Sequence, residues 1–255
     1  MKENKAFLIF HAVLLAFVLV GFGRSFYLAS VFGDPAGLDT PLRIHGWVLT
    51  AWFAITVAQG WLVFKGQRAR HRSLAWLAGL IAVGVVATGL WINTRLALMI
   101  SSSGSALNMF VWGNYFTLVA FTVLLVAAIR KRREPDKHRR LLAFASIAIV
   151  GPAFARFAFW KLFGASGAAG GPLFAVPGML LMMLTLVGYD LATRRKIQAA
   201  TVAGVAGVIG SLVVGVGAGV TGTGFRLIQQ LHAPAPPATA DAAPRPAEHR
   251  LGVRT

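Results

Sequence analysis

Polar side chains inside long apolar segments are the residues of this sequence that could do chemistry. Three of them, His45, Asn114 and Arg156, lie at a similar predicted depth near one side of a helical bundle. A guanidinium offers a fixed fork of hydrogen-bond donors, and an imidazole can donate or accept, so this set suits a carboxylate, a phosphate or a quinone oxygen. In the alternative interpretation, Arg156 reaches the lipid headgroups and Asn114 bonds to a neighbouring helix.

A second candidate group consists of histidines toward the other side of the membrane, His11, His71 and His138. Histidines that face each other at equal depth hold b-type haems in membrane bundles, so these three are candidate contacts for a haem or a quinone. His45 is separated from them by most of a membrane thickness and cannot share an iron with them. In the alternative, His71 and His138 meet lipid phosphates at helix starts.

The segments that must position these residues are seven stretches of roughly 18 to 25 mostly apolar residues, each long enough to cross a bilayer. Hydrophobic residues make up 56% of the chain and charged residues 13%. Unsatisfied backbone amides are prohibitive in lipid, and the alternation of a barrel strand is missing, so each span should be helical. The sequence predicts an all-α, polytopic membrane helix bundle with spans at 6–23, 44–64, 74–98, 107–129, 141–163, 172–193 and 199–220.

Lysine and arginine collect in the second, fourth and sixth predicted loops. Because short cytoplasmic loops are the basic ones, the amino terminus is predicted inside and the carboxyl terminus outside. The first span is predicted to be a retained anchor rather than a cleaved signal. The formal net charge of +17 then reflects topology and attraction to anionic lipid headgroups. No nucleic-acid-binding motif accompanies the basic loops, so no nucleic-acid partner is expected.

Two features concern the end of the chain. The last span carries glycines that permit close helix packing, either to the bundle or to a partner helix; they are Gly204, Gly207, Gly210, Gly215 and Gly219. Residues 224–255 are rich in alanine and proline and lack periodicity, which predicts a disordered tail.

Several enzyme classes are excluded by composition and motif content. The chain has no cysteine, so it cannot form disulfides, thiolate metal sites or iron-sulfur clusters. It also lacks a nucleotide-binding loop, an HExxH zinc motif and a GxSxG elbow. Asp190 is predicted to pair with Arg194, one helical turn further on, rather than to relay protons.

Short motifs with a characteristic combined spacing extend over nearly the whole chain. They are Arg24-Ser25-Phe26-Tyr27, His45-Gly46, Thr50-Ala51-Trp52 with Gln59, His71-Arg72 with Leu74, His138-Arg139-Arg140-Leu141, Pro152-Ala153 with Arg156, and Tyr189-Asp190 with Thr193-Arg194. Through these motifs the chain resembles an uncharacterised family of bacterial multi-pass membrane proteins, whose His-Arg-x-Leu motifs open helices. Ala75 stands where the family pattern has a glycine. The resemblance implies the architecture and a place in the bacterial inner membrane, and it carries no activity.

Three classes of function follow from these residues. The first is a redox protein with a b-type haem or a quinone at His11, His71 and His138, which looks like the transmembrane cytochrome b reductases in outline. The alternative is binding or transport of an anionic lipid-like or small organic ligand at His45, Asn114 and Arg156. The third is a structural or assembly partner of a membrane complex, which the glycines of the last span would favour.

Overall fold

The computed structural model describes residues 2–32, 38–164 and 166–232. Within these ranges the chain is helical and contains no strand. The helices are α1 (Lys2–Gly21), α2 (Thr40–Phe64), α3 (Arg68–Leu98), α4 (Ala106–Arg130), α5 (Pro135–Ala155), α6 (Gly167–Arg194), α7 (Ala199–Val220) and the short α8 (Thr223–His232). Helices α1 to α7 overlap the seven predicted spans, and each is long and apolar enough to cross a membrane. The predicted all-α polytopic bundle is confirmed.

Local sequence signals explain where several helices begin. The Asp39 carboxylate accepts a hydrogen bond from the Leu42 amide at 3.1 Å and caps α2, and the Ser105 hydroxyl accepts one from the Leu107 amide at 3.3 Å and caps α4. Pro135 is the first residue of α5, where its missing amide proton costs nothing. We call the end with the α2–α3, α4–α5 and α6–α7 connections the basic end, and the other the cavity end.

Helix α5 occupies the centre of the bundle. It packs against α1, α4, α6 and α7, and nearly all its residues from Arg140 to Phe154 are buried. A hydrogen bond from Trp52 Nε1 to Ser146 Oγ, 3.2 Å long, joins it to α2. The small residues of α5, such as Ala143 and Ala145, are fully buried and let the neighbouring helices approach closely.

Large apolar side chains cover the outer faces of the surrounding helices. Trp76 and Leu80 on α3 are 86% and 69% exposed, and Leu184 on α6 is 63% exposed. A soluble surface rarely presents so much continuous apolar area. These faces therefore contact the lipid of a bilayer.

The glycine face of α7 packs against α4 of the same chain. A Cβ atom at Gly215 would lie 2.7 Å from the Trp112 carbonyl oxygen, and one at Gly219 would lie 2.6 Å from Met109 Cα. Gly210, in contrast, has nothing within 4 Å of a Cβ position. The sequence allowed this glycine face to pack either within the bundle or against a partner helix. Gly215 and Gly219 pack within the bundle, against α4.

The segment predicted to be disordered begins with a helix. Residues 224–232 belong to α8, in which Phe225 and Ile228 pack against Ala97, Ile100 and Val111. Two large apolar residues three positions apart form one helical face, and that face is partly buried against α3 and α4. The rest of the predicted tail, 233–255, lies outside the described residues.

Candidate ligand-binding cavity

A cavity of about 540 Å³ lies at the cavity end, between the end of α1 and the helices α2 to α5. This volume falls within the range of small-molecule sites in proteins. Most lining residues are apolar, and five of them are phenylalanines. The described lining includes no Asp or Glu, and its polar members are Arg24, Ser25, His45, Asn93, Asn114, Thr117 and Arg156.

The structure brings the three predicted ligand contacts to the walls of this one cavity. His45 comes from α2, Asn114 from α4, and Arg156 from the 3-10 turn that follows α5. No hydrogen bond joins any two of these side chains. These three side chains therefore do not satisfy one another. Their role as ligand contacts stays a prediction.

One wall of the cavity is a π-helical turn, Gly23–Tyr27, at the end of α1. The amide of Leu28 bonds to the Gly23 carbonyl at 2.8 Å, five residues back, so the chain is wider here than in an α-helix. The turn places Arg24, Ser25 and Phe26 on the cavity. Its Tyr27 hydroxyl lies 2.5 Å from Thr50 Oγ1 of α2, which holds the turn in place.

Arg156 carries a positive charge without a carboxylate partner among the described residues. Its guanidinium carbon lies 5.6 Å from the ring centroid of Phe22 and 5.4 Å from that of Phe159, in cation–π geometry. Its Nε atom is buried and has no hydrogen-bond partner. A charge enclosed by aromatic rings loses hydration, and an anion would restore the missing interactions.

His45 is held in one tautomer by its neighbour on α3. Its Nδ1 lies 2.9 Å from Thr88 Oγ1, and the Thr88 hydroxyl donates its only proton to the Gly84 carbonyl at 2.7 Å. The Thr88 oxygen must then accept from His45 Nδ1–H. The neutral imidazole is left with a lone pair on Nε2, which has no partner among the described residues.

Asn93 lines the same cavity, although it is not among the residues predicted from the sequence. Its Nδ2 donates to the Gly89 carbonyl at 2.8 Å, while its Oδ1 is buried without a partner. The signal that could have found it is the one that found Asn114, an amide side chain inside an apolar span. The Ser25 hydroxyl is also buried and unpartnered.

An ion pair beside the cavity ties α2 to α3. Asp39 Oδ2 lies 2.7 Å from Arg95 Nη1. The hydrogen bond from Arg95 holds the pKa of the Asp39 carboxyl below its ordinary value, helped by the Leu42 amide. Asp39 is therefore ionised at neutral pH and paired with Arg95, so it does not neutralise Arg156.

The three histidines predicted to hold a haem or a quinone lie away from this cavity. His71 and His138 are each the fourth residue of their helices, α3 and α5. His138 Nδ1 donates to the Ala128 carbonyl at 2.8 Å, and His11 is buried with an unpartnered Nδ1. None of the three lines the cavity, and a groove bounded by Leu15, Trp61 and Leu74 contains no histidine either.

Metal ligands are not grouped in the described part of the chain, where no three His, Cys, Asp or Glu side chains come together. A bis-histidine haem needs a flat cavity with one imidazole on each side of it. Neither the cavity nor the groove described above is lined by an inner histidine, and the haem hypothesis stays a prediction.

The basic end carries a buried ion pair that corrects the predicted partner of Asp190. Asp190 Oδ1 accepts hydrogen bonds from Arg140 Nη2 at 2.6 Å and Nε at 2.9 Å, and the two side chains are only 1% and 2% exposed. Asp190 Oδ2 also accepts from Thr201 Oγ1 at 2.5 Å and from the Gln198 amide at 3.0 Å. The predicted pairing with Arg194 is wrong because Asp190 points between α5 and α7, into the protein.

Arg194 instead belongs to a more exposed set of ion pairs around the same end. Its Nη2 lies 2.6 Å from Glu3 Oε1 and 3.0 Å from Asp136 Oδ2, and Arg139 contacts both of these carboxylates. These pairs join the start of α1 to α5 and α6. In the sequence these arginines are markers of topology, and their contacts with Glu3 and Asp136 could not be predicted from it.

Comparison of the chain with models of known protein families, with curated proteins and with solved structures gives no match. The class of the protein therefore rests on its own fold and cavity. It is a polytopic α-helical membrane protein with a ligand-sized, cation-lined cavity at one end of the bundle.

Proposed function

We propose that this protein binds an anionic amphiphilic molecule, with a carboxylate or phosphate head and an apolar body, in the cavity between the end of α1 and α2 to α5. The observation that carries the proposal is Arg156, a cavity-lining arginine with a buried, unpartnered Nε and no carboxylate partner among the described residues. Arg24 adds a second cation to the same lining. A guanidinium binds carboxylate and phosphate through paired hydrogen bonds.

The apolar part of the cavity supports an amphiphile rather than a small inorganic anion. Phenylalanine, leucine and isoleucine side chains form most of the lining. Burying apolar ligand surface there contributes roughly 25 cal/mol per Å². A free inorganic anion would gain nothing from this surface, whereas an acyl or similar chain would.

The proposal predicts that Arg156→Gln weakens binding of anionic amphiphiles about 30-fold, which corresponds to about 2 kcal/mol for a lost charge-assisted hydrogen bond. The protein, reconstituted in nanodiscs of phosphatidylcholine, would be titrated with dodecanoate and with dodecyl phosphate. The rise of the thermal unfolding midpoint with ligand concentration gives the Kd. Dodecanol, the neutral analogue, should bind more weakly than both anions.

The matched control is Arg43→Gln. Arg43 is an exposed arginine on α2 near the same end and does not line the cavity, so this variant should bind like the wild type. Because Arg156 has no carboxylate to lose, Arg156→Gln should not lower the midpoint of the ligand-free protein. Equal affinities of the wild type and Arg156→Gln for dodecanoate and for dodecyl phosphate would contradict the proposal.

The resemblance of the chain supports a location in the inner membrane of a bacterium, with the basic end facing the cytoplasm and its arginines near anionic headgroups. This orientation would open the cavity toward the outer half of the membrane. Reaction of single cysteines introduced at Arg43 and at Arg132 with a membrane-impermeant reagent would test it, because only the outward-facing position should react in intact cells.

A further inference from the structure

The side of the cavity formed by α2 and α3 carries hydrogen-bond acceptors on His45 and Asn93. The Arg156 guanidinium, in contrast, can only donate hydrogen bonds. His45 Nε2 holds a free lone pair, because Nδ1–H is spent on Thr88. Asn93 Nδ2 donates to the Gly89 carbonyl, while Asn93 Oδ1 is buried and has no donor. An anionic head on Arg156 satisfies neither acceptor.

The side chains that carry these two acceptors both adjoin Gly89. A Cβ atom at Gly89 would lie 3.8 Å from His45 Cε1, and the Gly89 carbonyl receives the Asn93 hydrogen bond. Asn93 is only 7% exposed, so its side chain cannot turn to bulk water for a partner. A buried acceptor without a partner is costly, and a ligand donor that fills it gains affinity.

We infer that the ligand carries, besides its anionic head, a hydroxyl group that donates a hydrogen bond to His45 Nε2, with Asn93 Oδ1 as the neighbouring acceptor. The inference rests on the proposed function and names its substrate class as hydroxylated anionic amphiphiles. His45 and Asn93 are then the residues that select for the hydroxyl, and Arg156 is the residue that binds the anion.

The test compares dodecanoate with its positional hydroxy isomers and with the methyl ethers of those isomers, in the phosphatidylcholine nanodiscs described above. We expect at least one hydroxy isomer to bind about tenfold more tightly than dodecanoate, because the hydroxyl satisfies a buried acceptor. Its methyl ether keeps the oxygen but cannot donate, so it should lose the advantage. This comparison uses the wild-type protein and depends on no variant.

The variants Asn93→Leu and His45→Phe should reduce the advantage of the hydroxy isomer while dodecanoate still binds. Arg156→Gln should weaken both ligands to a similar degree. The inference is overturned if no hydroxy isomer binds more tightly than dodecanoate, or if the methyl ether gains as much as the alcohol. If neither dodecanoate nor any hydroxy isomer binds, the proposed function itself fails, and this outcome is distinct from equal binding of all the acids.

Discussion

Asp190→Asn is expected to destabilise the protein by about 3–5 kcal/mol, since it leaves Arg140 charged and buried without a counterion. Arg140 and Asp190 are almost completely buried and joined by two hydrogen bonds. The same carboxylate anchors the start of α7 through Thr201 and Gln198. The free energy of unfolding, measured by titration with sodium dodecyl sulfate in mixed micelles, gives the size of the effect.

The control for this variant is Glu134→Gln, which removes a carboxylate at the same end. Glu134 pairs with Lys131 and Lys137, and all three side chains are more than 40% exposed. Exposed ion pairs of this kind contribute about 1 kcal/mol or less. If the two variants lose similar stability, the buried pair is not an important source of stability.

A double variant separates the charge from the packing. Arg140→Met combined with Asp190→Leu removes both buried charges and keeps apolar volume at the contact of α5 and α6. Replacement of a buried ion pair by apolar residues is often neutral or stabilising. We therefore expect the double variant to recover most of the stability that Asp190→Asn loses.

The ion pair and the cavity are far apart, which keeps their tests independent. Arg140 lies in the second turn of α5, and Arg156 directly follows the end of that helix. The 16 residues between them correspond to about 24 Å of helix. Folded Asp190→Asn protein should therefore bind dodecanoate with the affinity of the wild type.

The second large effect is expected from Gly215→Leu, which should cost about 3 kcal/mol of stability, at the upper end of the usual range for overpacking. The new side chain would meet backbone atoms of α4, with the Trp112 carbonyl oxygen 2.7 Å from the Cβ position. Backbone cannot move aside as a flexible side chain can, so α4 and α7 must separate. The same unfolding titration measures the loss.

Gly210→Leu provides the matched comparison on the same helix. Gly210 is exposed and has nothing within 4 Å of its Cβ position. The new leucine should face lipid and, because leucine has the higher helix propensity, leave stability unchanged or slightly raised. If Gly210→Leu and Gly215→Leu lower the free energy of unfolding equally, the close contact of α7 with α4 is not the reason for glycine at position 215.

The two ends of the helix bundle carry different polar groups. The basic end is held by a buried ion pair and a ring of more exposed ones, although Arg139 Nε and His71 Nδ1 there are buried without a partner. The cavity end leaves Arg156, Asn93 and Ser25 with unspent polar atoms. These three residues all line one ligand-sized cavity, whereas Arg139 and His71 do not line it. An unsatisfied buried polar group calls for an explanation, and this clustering favours the cavity as the functional site.

The sequence by itself determined the fold class and the approximate positions of the seven spans, because the cost of unpaired backbone amides in lipid leaves a long apolar segment little choice but a helix. It also predicted His45, Asn114 and Arg156 as neighbours at one level of the bundle, since polar residues inside apolar spans are few, and all three line the cavity. Their common depth could be counted along each helix at 1.5 Å per residue. Orientation in the membrane stays a prediction from the basic loops.

Only the tertiary structure decided which faces of the helices meet. Asp190 has Arg194 one turn away along its own helix, yet its partner is Arg140, 50 residues distant in sequence. The glycines of α7 could have faced a partner, and Gly215 and Gly219 face α4. Asn93 and the π-helical turn line the cavity, which the sequence did not predict. The rotation and packing of helices depend on contacts between distant segments, and the periodicity within one segment does not encode them.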